Sequence, residues 1–181
     1  MTLKGLFNSH WPAAALFDLD GTLVDSALDL AVAVDQTLEK LGRPAAGIDQ
    51  VRRWVGNGAA ILIRRALAGK SDWQPSGAAD DAVFDDALAL FFQHYETANG
   101  QHARVYPGVI EVLNQLQQLG CPMAIVTNKP EQFVAPLLKK LALDGYFELI
   151  VGGDTLANKK PDPQPLLYAM EKLNGRPTTT V

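Results

Sequence analysis

Three short apolar segments, each followed by a helical pattern, constrain the fold of this chain most strongly. They lie at residues 13–19, 122–128 and 147–153, and each is too short for a typical helix. The closing Thr-Thr-Thr-Val, residues 178–181, has the β-branched composition of a strand that is beginning. Buried strands that alternate with helices predict an α/β fold, in which helices cover both faces of a parallel sheet.

Residues 26–102, which follow the first strand, carry helical patterns and no strand pattern. We therefore predict a discontinuous α/β core, residues 1–25 and 103–181, and an inserted all-helical cap domain at 26–102. Apolar residues at helical spacing place the helices of this cap near residues 30–41, 51–54, 61–67 and 84–95.

The composition of the chain argues against several partners and locations. A net charge of -4, with Lys and Arg scattered along the sequence, provides no basic patch for nucleic acid or an anionic membrane. No apolar run reaches the roughly 20 residues that a membrane helix needs. The single cysteine, Cys121, has no intrachain partner, and residues 1–17 lack a signal-peptide pattern. We expect a cytoplasmic protein that is a monomer or a weak homodimer.

Polar side chains follow each of the three predicted strands. Asp18 and Asp20 follow the first, Thr127 and Asn128 end the second, and Lys160 lies in the loop after the third. Because ligands of open parallel sheets bind beyond the carboxyl ends of the strands, we expect these side chains to converge on one crevice. Local alternatives exist, since an Asp-Gly turn, a helix-capping threonine and a solvated lysine pair explain the same residues without a ligand.

The residue types at this crevice fit phosphoryl transfer. One carboxylate can attack phosphorus, and a second, two residues on, can protonate the leaving oxygen and later deprotonate a water. Two carboxylates beside a phosphate dianion need a hard cation, for which Mg²⁺ is the natural choice. Lys160 adds positive charge, and the Thr127 hydroxyl donates to phosphate oxygens. Gly21, which we group with the phosphate-binding residues, turns the backbone sharply. The predicted partner is a small phosphorylated substrate.

Three motifs connect the chain to a known family. The stretch FDLDGTLVDS, residues 17–26, resembles the first motif of the haloacid dehalogenase-like superfamily, in the form that its phosphatases carry. VTNK resembles the second motif and KKPDPQPL the third, in the order that the family has them. The helical segment lies where that family inserts its cap. The resemblance implies a Rossmann-like three-layer core with a parallel sheet and an all-helical cap.

Further segments narrow this resemblance. WVGNGA, VYPGV, TNKP and GGDTLANKKPDPQPL are similar to the bacterial phosphoglycolate phosphatases. The resemblance implies Mg²⁺-dependent hydrolysis of a phosphomonoester, 2-phosphoglycolate, to glycolate and phosphate through an aspartyl-phosphate. It assigns Asp18 as nucleophile and Mg²⁺ ligand, and Asp20 as the acid/base residue whose backbone carbonyl also binds Mg²⁺. It places Thr127 and Asn128 on the phosphate and Lys160 on the transferring phosphoryl charge.

One feature of the family is missing. The fourth motif, an acidic loop that supplies the remaining Mg²⁺ ligand, is not found before Val181, and we do not expect Asp154 to replace it. We therefore expect the 181 residues to be part of a longer chain, and on their own to bind Mg²⁺ weakly and turn over little. The alternative functions are a sugar phosphomutase on the same scaffold and an inactive fragment or binding protein.

Three smaller features of the predicted cap have two interpretations each. Asp25 or Ser26 is expected to cap its first helix. The Gly-rich turn after Trp54 either faces the active site or only joins two helices. Arg64 and Arg65 either reach a substrate carboxylate or lie on an exposed helix face.

Overall fold

The computed structural model describes residues 12–73, 81–175 and 180–181. Its strands are β1 (Ala15–Phe17), β2 (Val24–Asp25), β3 (Arg104–Val105), β4 (Met123–Val126) and β5 (Leu149–Val151). Its helices are α1 (Ala27–Lys40), α2 (Ile48–Trp54), α3 (Ala59–Ala68), α4 (Asp81–Ala98), α5 (Val109–Gln118), α6 (Glu131–Lys140) and α7 (Gln164–Lys172).

A parallel sheet with the strand order β1–β4–β5 forms the centre of the fold. In the first pair, Ala15 of β1 lies opposite Met123 of β4. On the other side of β1, the Leu16 amide donates to the Val181 carbonyl at 2.6 Å, and Thr180 forms a parallel bridge with Ala14. The closing residues therefore lie beside β1, where the sequence predicts the beginning of a fourth strand.

Alternate side chains of β4 pack on opposite faces of the sheet, as the two-residue period of a strand requires. Met123 and Ile125 are buried in a cluster with residues of α5 and α6. Ala124 and Val126 are buried on the other face, in a cluster with residues of α7. Full burial of a large apolar side chain contributes about 1.5–3 kcal/mol. The core thus has three layers, and the predicted α/β fold class is confirmed.

Four helices, α1 to α4, lie between β2 and β3 and share one apolar cluster. Phe133 of α6 joins this cluster, with its ring centroid 4.9 Å from that of Tyr95 and 5.6 Å from that of Phe92. The four helices therefore pack on the core at Phe133. The division into core and cap domains stays a prediction, and we use "cap segment" for residues 26–102 below.

A short antiparallel pair, β2 and β3, connects the two ends of the cap segment. Val24 lies opposite Val105, and Asp25 lies opposite Arg104. The sequence does not predict these strands, because two residues are too few to show a periodicity. The pair brings together the positions where the chain leaves the core and returns to it.

The observed elements differ from the predicted ones mainly at their ends. The strand predicted at 13–19 has ladder pairing only over Ala15–Phe17, since the chain then turns at the polar residues that follow. The sequence predicts a helix at 131–141 with a kink or a later start because of Pro136; helix α6 begins at Glu131, so the start is not delayed. Within the described ranges, no helix has both the length and the apolar character needed to cross a membrane.

Asp29, in the first turn of α1, has a fully buried carboxylate that binds the C-terminal end of the cap segment. Its Oδ2 accepts from the Gly100 amide at 2.7 Å, and its Oδ1 accepts from the His102 amide at 2.7 Å. Both amides precede β3, more than 70 residues along the chain, so no local pattern predicts the contact. Asp29 therefore fixes where the chain leaves α4.

We expect Asp29→Ala to lower the free energy of unfolding by about 1–3 kcal/mol for each amide left without an acceptor. Asp29→Asn is expected to have a smaller effect, because its amide oxygen can accept from one of the two. Urea denaturation followed by circular dichroism measures both changes. Asp86→Asn, on the exposed face of α4, is the matched control. An Asp29→Ala variant within about 0.5 kcal/mol of the wild type would contradict the role.

Candidate active site

The two carboxylates that the sequence singles out lie at the end of β1. Leu19 between them is fully buried, while Asp18 and Asp20 on either side of it line a cavity of about 40 Å³. Successive residues of an extended chain point in opposite directions, which explains this division. The Leu19 amide donates to Asp18 Oδ1 at 2.8 Å and restricts the rotation of this carboxylate.

Gly21 turns the chain directly after the carboxylates. Its φ of +83° lies in the left-handed region that favours glycine, as the sequence predicts. Its amide donates to the Val24 carbonyl at 2.8 Å and closes the turn. This amide is therefore bonded within the turn, and the phosphate contact of Gly21 stays a prediction.

Lys160 reaches the carboxylates from the loop after β5. Its Nζ lies 3.0 Å from Asp18 Oδ1 and donates to the Val126 carbonyl, at the end of β4, at 2.8 Å. The side chain of Lys160 is 24% exposed and that of Asp18 is 40% exposed. The structure thus brings together the ends of three strands, and it places Lys160 on the first carboxylate.

Thr127 is buried at the end of β4 and lines the cavity. Its amide donates to the Val151 carbonyl of β5 at 2.9 Å, and its Oγ1 accepts from the Lys129 amide at 3.3 Å. Helix α6 begins only at Glu131, so Thr127 is not its cap. A hydroxyl is one donor and two acceptors, and this arrangement leaves its hydrogen for a ligand oxygen.

Asn128 connects the cap segment with the third strand end. Its Nδ2 donates to the Gly56 carbonyl and to the Lys160 carbonyl, both at 3.0 Å. Its Oδ1 is buried and has no hydrogen-bond partner in the described part of the chain. Because both hydrogens of the side-chain amide are used within the protein, the predicted phosphate contact of Asn128 would have to come from its backbone.

Two glycines allow the loops after β4 and β5 to touch. A Cβ on Gly153 would lie 2.3 Å from the Asn128 carbonyl oxygen, and one on Gly152 would lie 2.7 Å from Glu131 Cα. The Gly153 amide donates to the Lys129 carbonyl at 2.8 Å. Only residues without a side chain permit this approach, so the glycine pair holds the loop that carries Thr127 to Lys129 in place.

Asp154, in the same loop, has a structural contact. Its Oδ1 accepts from the Glu131 amide at 2.8 Å and satisfies the first amide of α6. It does not line the cavity with the two carboxylates. In the part of the chain that the structure describes, no group of three or more His, Cys, Asp or Glu side chains is placed to hold a metal ion.

The sequence analysis missed Lys129, which is almost fully buried beside the second carboxylate. Its Nζ lies 3.2 Å from Asp20 Oδ1 and 3.3 Å from Asp20 Oδ2, and it donates to the Tyr95 hydroxyl of α4. Ser26 occupies the N-cap position of α1, as one of the two predicted caps, but its hydroxyl donates to Asp20 Oδ1 at 2.5 Å. The other predicted cap, Asp25, accepts from the Ala27 amide at 3.3 Å through its Oδ1. A lysine directly after a buried strand needs an anionic partner if it is buried, and this position is the feature of the sequence that could have indicated Lys129.

Burial and charge act together on this cluster. Burial alone would lower the pKa of Lys129, but the Asp20 carboxylate and the Tyr95 oxygen outweigh it and raise this pKa above the ordinary lysine value. Burial raises the pKa of the Tyr95 phenol to about 12. The ammonium is therefore charged, and the phenol neutral, throughout the physiological pH range.

The Gly-rich turn of the cap segment faces the site. Gly56 and Gly58 line the cavity. Arg65 supports the turn, because its Nη1 donates to the Trp54 carbonyl at 2.7 Å and to Asn57 Oδ1 at 3.0 Å. Neither Arg65 nor Arg64, whose guanidinium lies 3.8 Å from the centre of the Phe84 ring, lines the cavity.

We expect Gly153→Ala to lower the free energy of unfolding by about 1–3 kcal/mol, because the new methyl group displaces the backbone at Asn128. Urea denaturation measures the loss. Gly145→Ala is the matched control, since a Cβ there meets no atom within 4 Å. Equal free energies of unfolding of the two variants would show that the loops after β4 and β5 can move apart without loss of stability.

The raised pKa of Tyr95 predicts a late step in an alkaline titration. A phenol whose pKa is raised on folding adds stability that is complete below its unfolded pKa of 10.0, and this stability is lost as the pH rises through about 12. Tyrosinate absorbance should therefore show one of the four tyrosines ionising last. Tyr95→Phe should remove that step, and Tyr146→Phe should leave it. Four tyrosines that titrate together near pH 10.0 would contradict the buried contact.

Comparisons with known proteins find similar sequences over most of the chain. The chain is 51% identical over 174 residues to the phosphoglycolate phosphatase of Pseudomonas syringae pv. syringae, and 48% identical over 171 residues to phosphoglycolate phosphatase 1 of Pseudomonas aeruginosa. These matches cover 96% and 94% of this chain. The chain spans 62% and 61% of the length of these curated relatives.

A solved structure has the same fold. The crystal structure of a predicted phosphoglycolate phosphatase from Haemophilus somnus 129pt superposes with a TM-score of 0.81 at 34% identity, and the match covers 93% of this chain and 74% of that one. The sequence model of the family described as haloacid dehalogenase-like hydrolase matches residues 15–181. With its carboxylates after β1 and its lysine after β5, the chain belongs to the haloacid dehalogenase-like hydrolase family.

Proposed function

We propose that this chain carries the active site of a Mg²⁺-dependent phosphatase that hydrolyses 2-phosphoglycolate to glycolate and phosphate through an aspartyl-phosphate on Asp18. The observation that carries the proposal is the contact of Lys160 Nζ with Asp18 Oδ1 at 3.0 Å, with Asp20 two residues on at the same cavity. The names of the relatives support the choice of substrate.

In the first step, an Asp18 carboxylate oxygen attacks phosphorus and the bond from phosphorus to the glycolate oxygen breaks. The leaving oxygen takes a proton from Asp20 and departs as glycolate. Lys160 would exchange its contact with Asp18 for the phosphoryl oxygens and stabilise their charge. The Thr127 hydroxyl, at the wall of the cavity, would donate to one of these oxygens.

In the second step, a water attacks phosphorus and Asp20 takes its proton. The bond from phosphorus to Asp18 breaks, inorganic phosphate leaves, and both carboxylates return to their first state. The contacts of Asp20 with the Lys129 ammonium, at 3.2 and 3.3 Å, hold this side chain in place at the cavity.

The oxygen atoms at the end of β1 fit Mg²⁺, which is commonly held by one or two carboxylates together with substrate phosphate and water. Asp18 and Asp20 are the acidic residues among those that line the cavity, and Asp20 is already bound by Lys129 and Ser26. As the family resemblance implies, the Asp18 carboxylate and the Asp20 backbone carbonyl would hold the ion. When bound, Mg²⁺ would offset the negative charge between phosphate and carboxylate.

The cavity suits a small substrate. Besides the polar residues it is lined by apolar side chains of the cap segment, Leu30, Leu62 and Phe91 among them. Its volume of about 40 Å³ leaves room for small ligands only. The cap segment would then exclude bulk water during the first step. We also propose a cytoplasmic location and a monomer or weak homodimer, as the sequence predicts.

The test is release of inorganic phosphate from 2-phosphoglycolate, with and without Mg²⁺, by the wild type, Asp18→Asn and Asp144→Asn, a control at an exposed aspartate. We expect slow release that requires a high Mg²⁺ concentration, because Mg²⁺ binding by these residues is expected to be weak, and Asp18→Asn should lower it by roughly a thousand-fold or more. Mass spectrometry of acid-quenched protein should find phosphate on a peptide that contains Asp18.

Other outcomes point to the alternatives. Isomerisation of a sugar phosphate without release of phosphate would replace the proposal by a phosphomutase. No release and no phosphorylated peptide from a folded chain at saturating Mg²⁺ would reject the activity for these 181 residues.

A further inference from the structure

A cluster of one carboxylate, one ammonium and one phenol connects the site to the cap segment. Asp20 is in the core, Lys129 follows β4, and Tyr95 is on α4. We propose that Lys129 and Tyr95 are positioning residues, which fix the carboxylate of Asp20 and make its orientation depend on the packing of α4 against the core. The inference rests on the proposed function, in which Asp20 transfers the proton.

The hydrogen bonds of Lys129 leave it no freedom to act as a mobile cation. An ammonium has three donors, and the two Asp20 oxygens and the Tyr95 hydroxyl account for them. Its side chain is only 2% exposed. Moving it toward a ligand would break these three contacts of a buried ammonium, which is unfavourable. The geometry therefore suits a fixed support.

Tyr95 is held equally firmly, and from two sides. Its ring stacks on Phe91 of α4, with centroids 5.4 Å apart, and meets Phe133 of α6 edge to face at 4.9 Å. Lys129 Nζ lies 4.6 Å from the centre of the same ring. The packing of α4 on α6 therefore fixes the position of the Tyr95 hydroxyl. The N–H of Lys129 that donates to this hydroxyl is fixed with it.

The position of Asp20 then depends on these contacts. Proton transfer requires the carboxylate to be about 2.6–3.2 Å from the oxygen that gives or takes the proton. A displacement of about 1 Å costs roughly 100-fold in rate. Loss of the Tyr95 hydroxyl would leave one donor of Lys129 unsatisfied and allow the ammonium, with Asp20, to shift.

A direct role for Lys129 in substrate binding makes different predictions, because Lys129 also lines the cavity. A cation that binds the substrate in the ground state affects KM, whereas a support of the proton-transfer group affects kcat. A double-mutant cycle further shows whether Tyr95 acts through Lys129 or independently.

The kinetic experiment compares the wild type with Lys129→Met, Tyr95→Phe, the double variant and Lys139→Met, a control at an exposed lysine of α6. We expect kcat for 2-phosphoglycolate to fall about 100-fold or more in Lys129→Met and about 10-fold in Tyr95→Phe, with KM changed less than about threefold. The double variant should be no slower than Lys129→Met. A rise in KM with unchanged kcat, or multiplicative effects, would overturn the proposal.

A second measurement does not depend on activity. In NMR spectra of the chain, the ¹³C signal of the Asp20 carboxylate should move in Tyr95→Phe and stay in Lys139→Met, and one slowly exchanging lysine ammonium should disappear in Lys129→Met. If the Asp20 signal does not move in Tyr95→Phe, the proposed coupling between Tyr95 and Asp20 is wrong, even if the wild type is an active phosphatase. A shifted signal in an inactive wild type would leave the coupling standing and reject the proposed function.

Discussion

The ion pair between Asp20 and Lys129 constrains the rest of the structure more than any other contact. The Lys129 side chain is 2% exposed and that of Asp20 is 13% exposed, so the buried ammonium depends on this carboxylate as its charge partner. The end of β1, the loop after β4 and helix α4 must therefore stay together. The four helices between β2 and β3 are joined to this pair by the hydrogen bond from Lys129 to the Tyr95 hydroxyl, as well as to the sheet by the apolar contact at Phe133.

Backbone packing without side chains completes the site. The loop after β5 lies against the loop after β4 at Gly152 and Gly153, and this contact sets the distance from which Lys160 reaches Asp18. Asn128 then connects the same loop to the turn at Gly56. The geometry of the side chains at the end of the sheet accordingly depends on two glycines that do not line the cavity.

Much of this could be predicted from the sequence, and the limits have a physical cause. Apolar segments and their period predict the strands and helices, and the polar residues at strand ends predict the meeting of Asp18 and Lys160. Local patterns carry no information about Asp29, whose partners lie more than 70 residues away, or about Lys129, which is 109 residues from Asp20. The sequence predicts that Asp25 or Ser26 caps α1, which the structure bears out, but it does not predict that the Ser26 hydroxyl donates to Asp20.

The β2–β3 pair has a consequence for how such chains change over time. Opposite residues of an antiparallel ladder have Cα atoms about 4.5–5.5 Å apart, so the two ends of the inserted helices are held at that separation whatever lies between them. A longer, shorter or different insert could be accommodated there without altering the register of the parallel sheet. The β2–β3 ladder thus allows the cap segment to vary in length and sequence while the ends of the parallel strands keep their geometry.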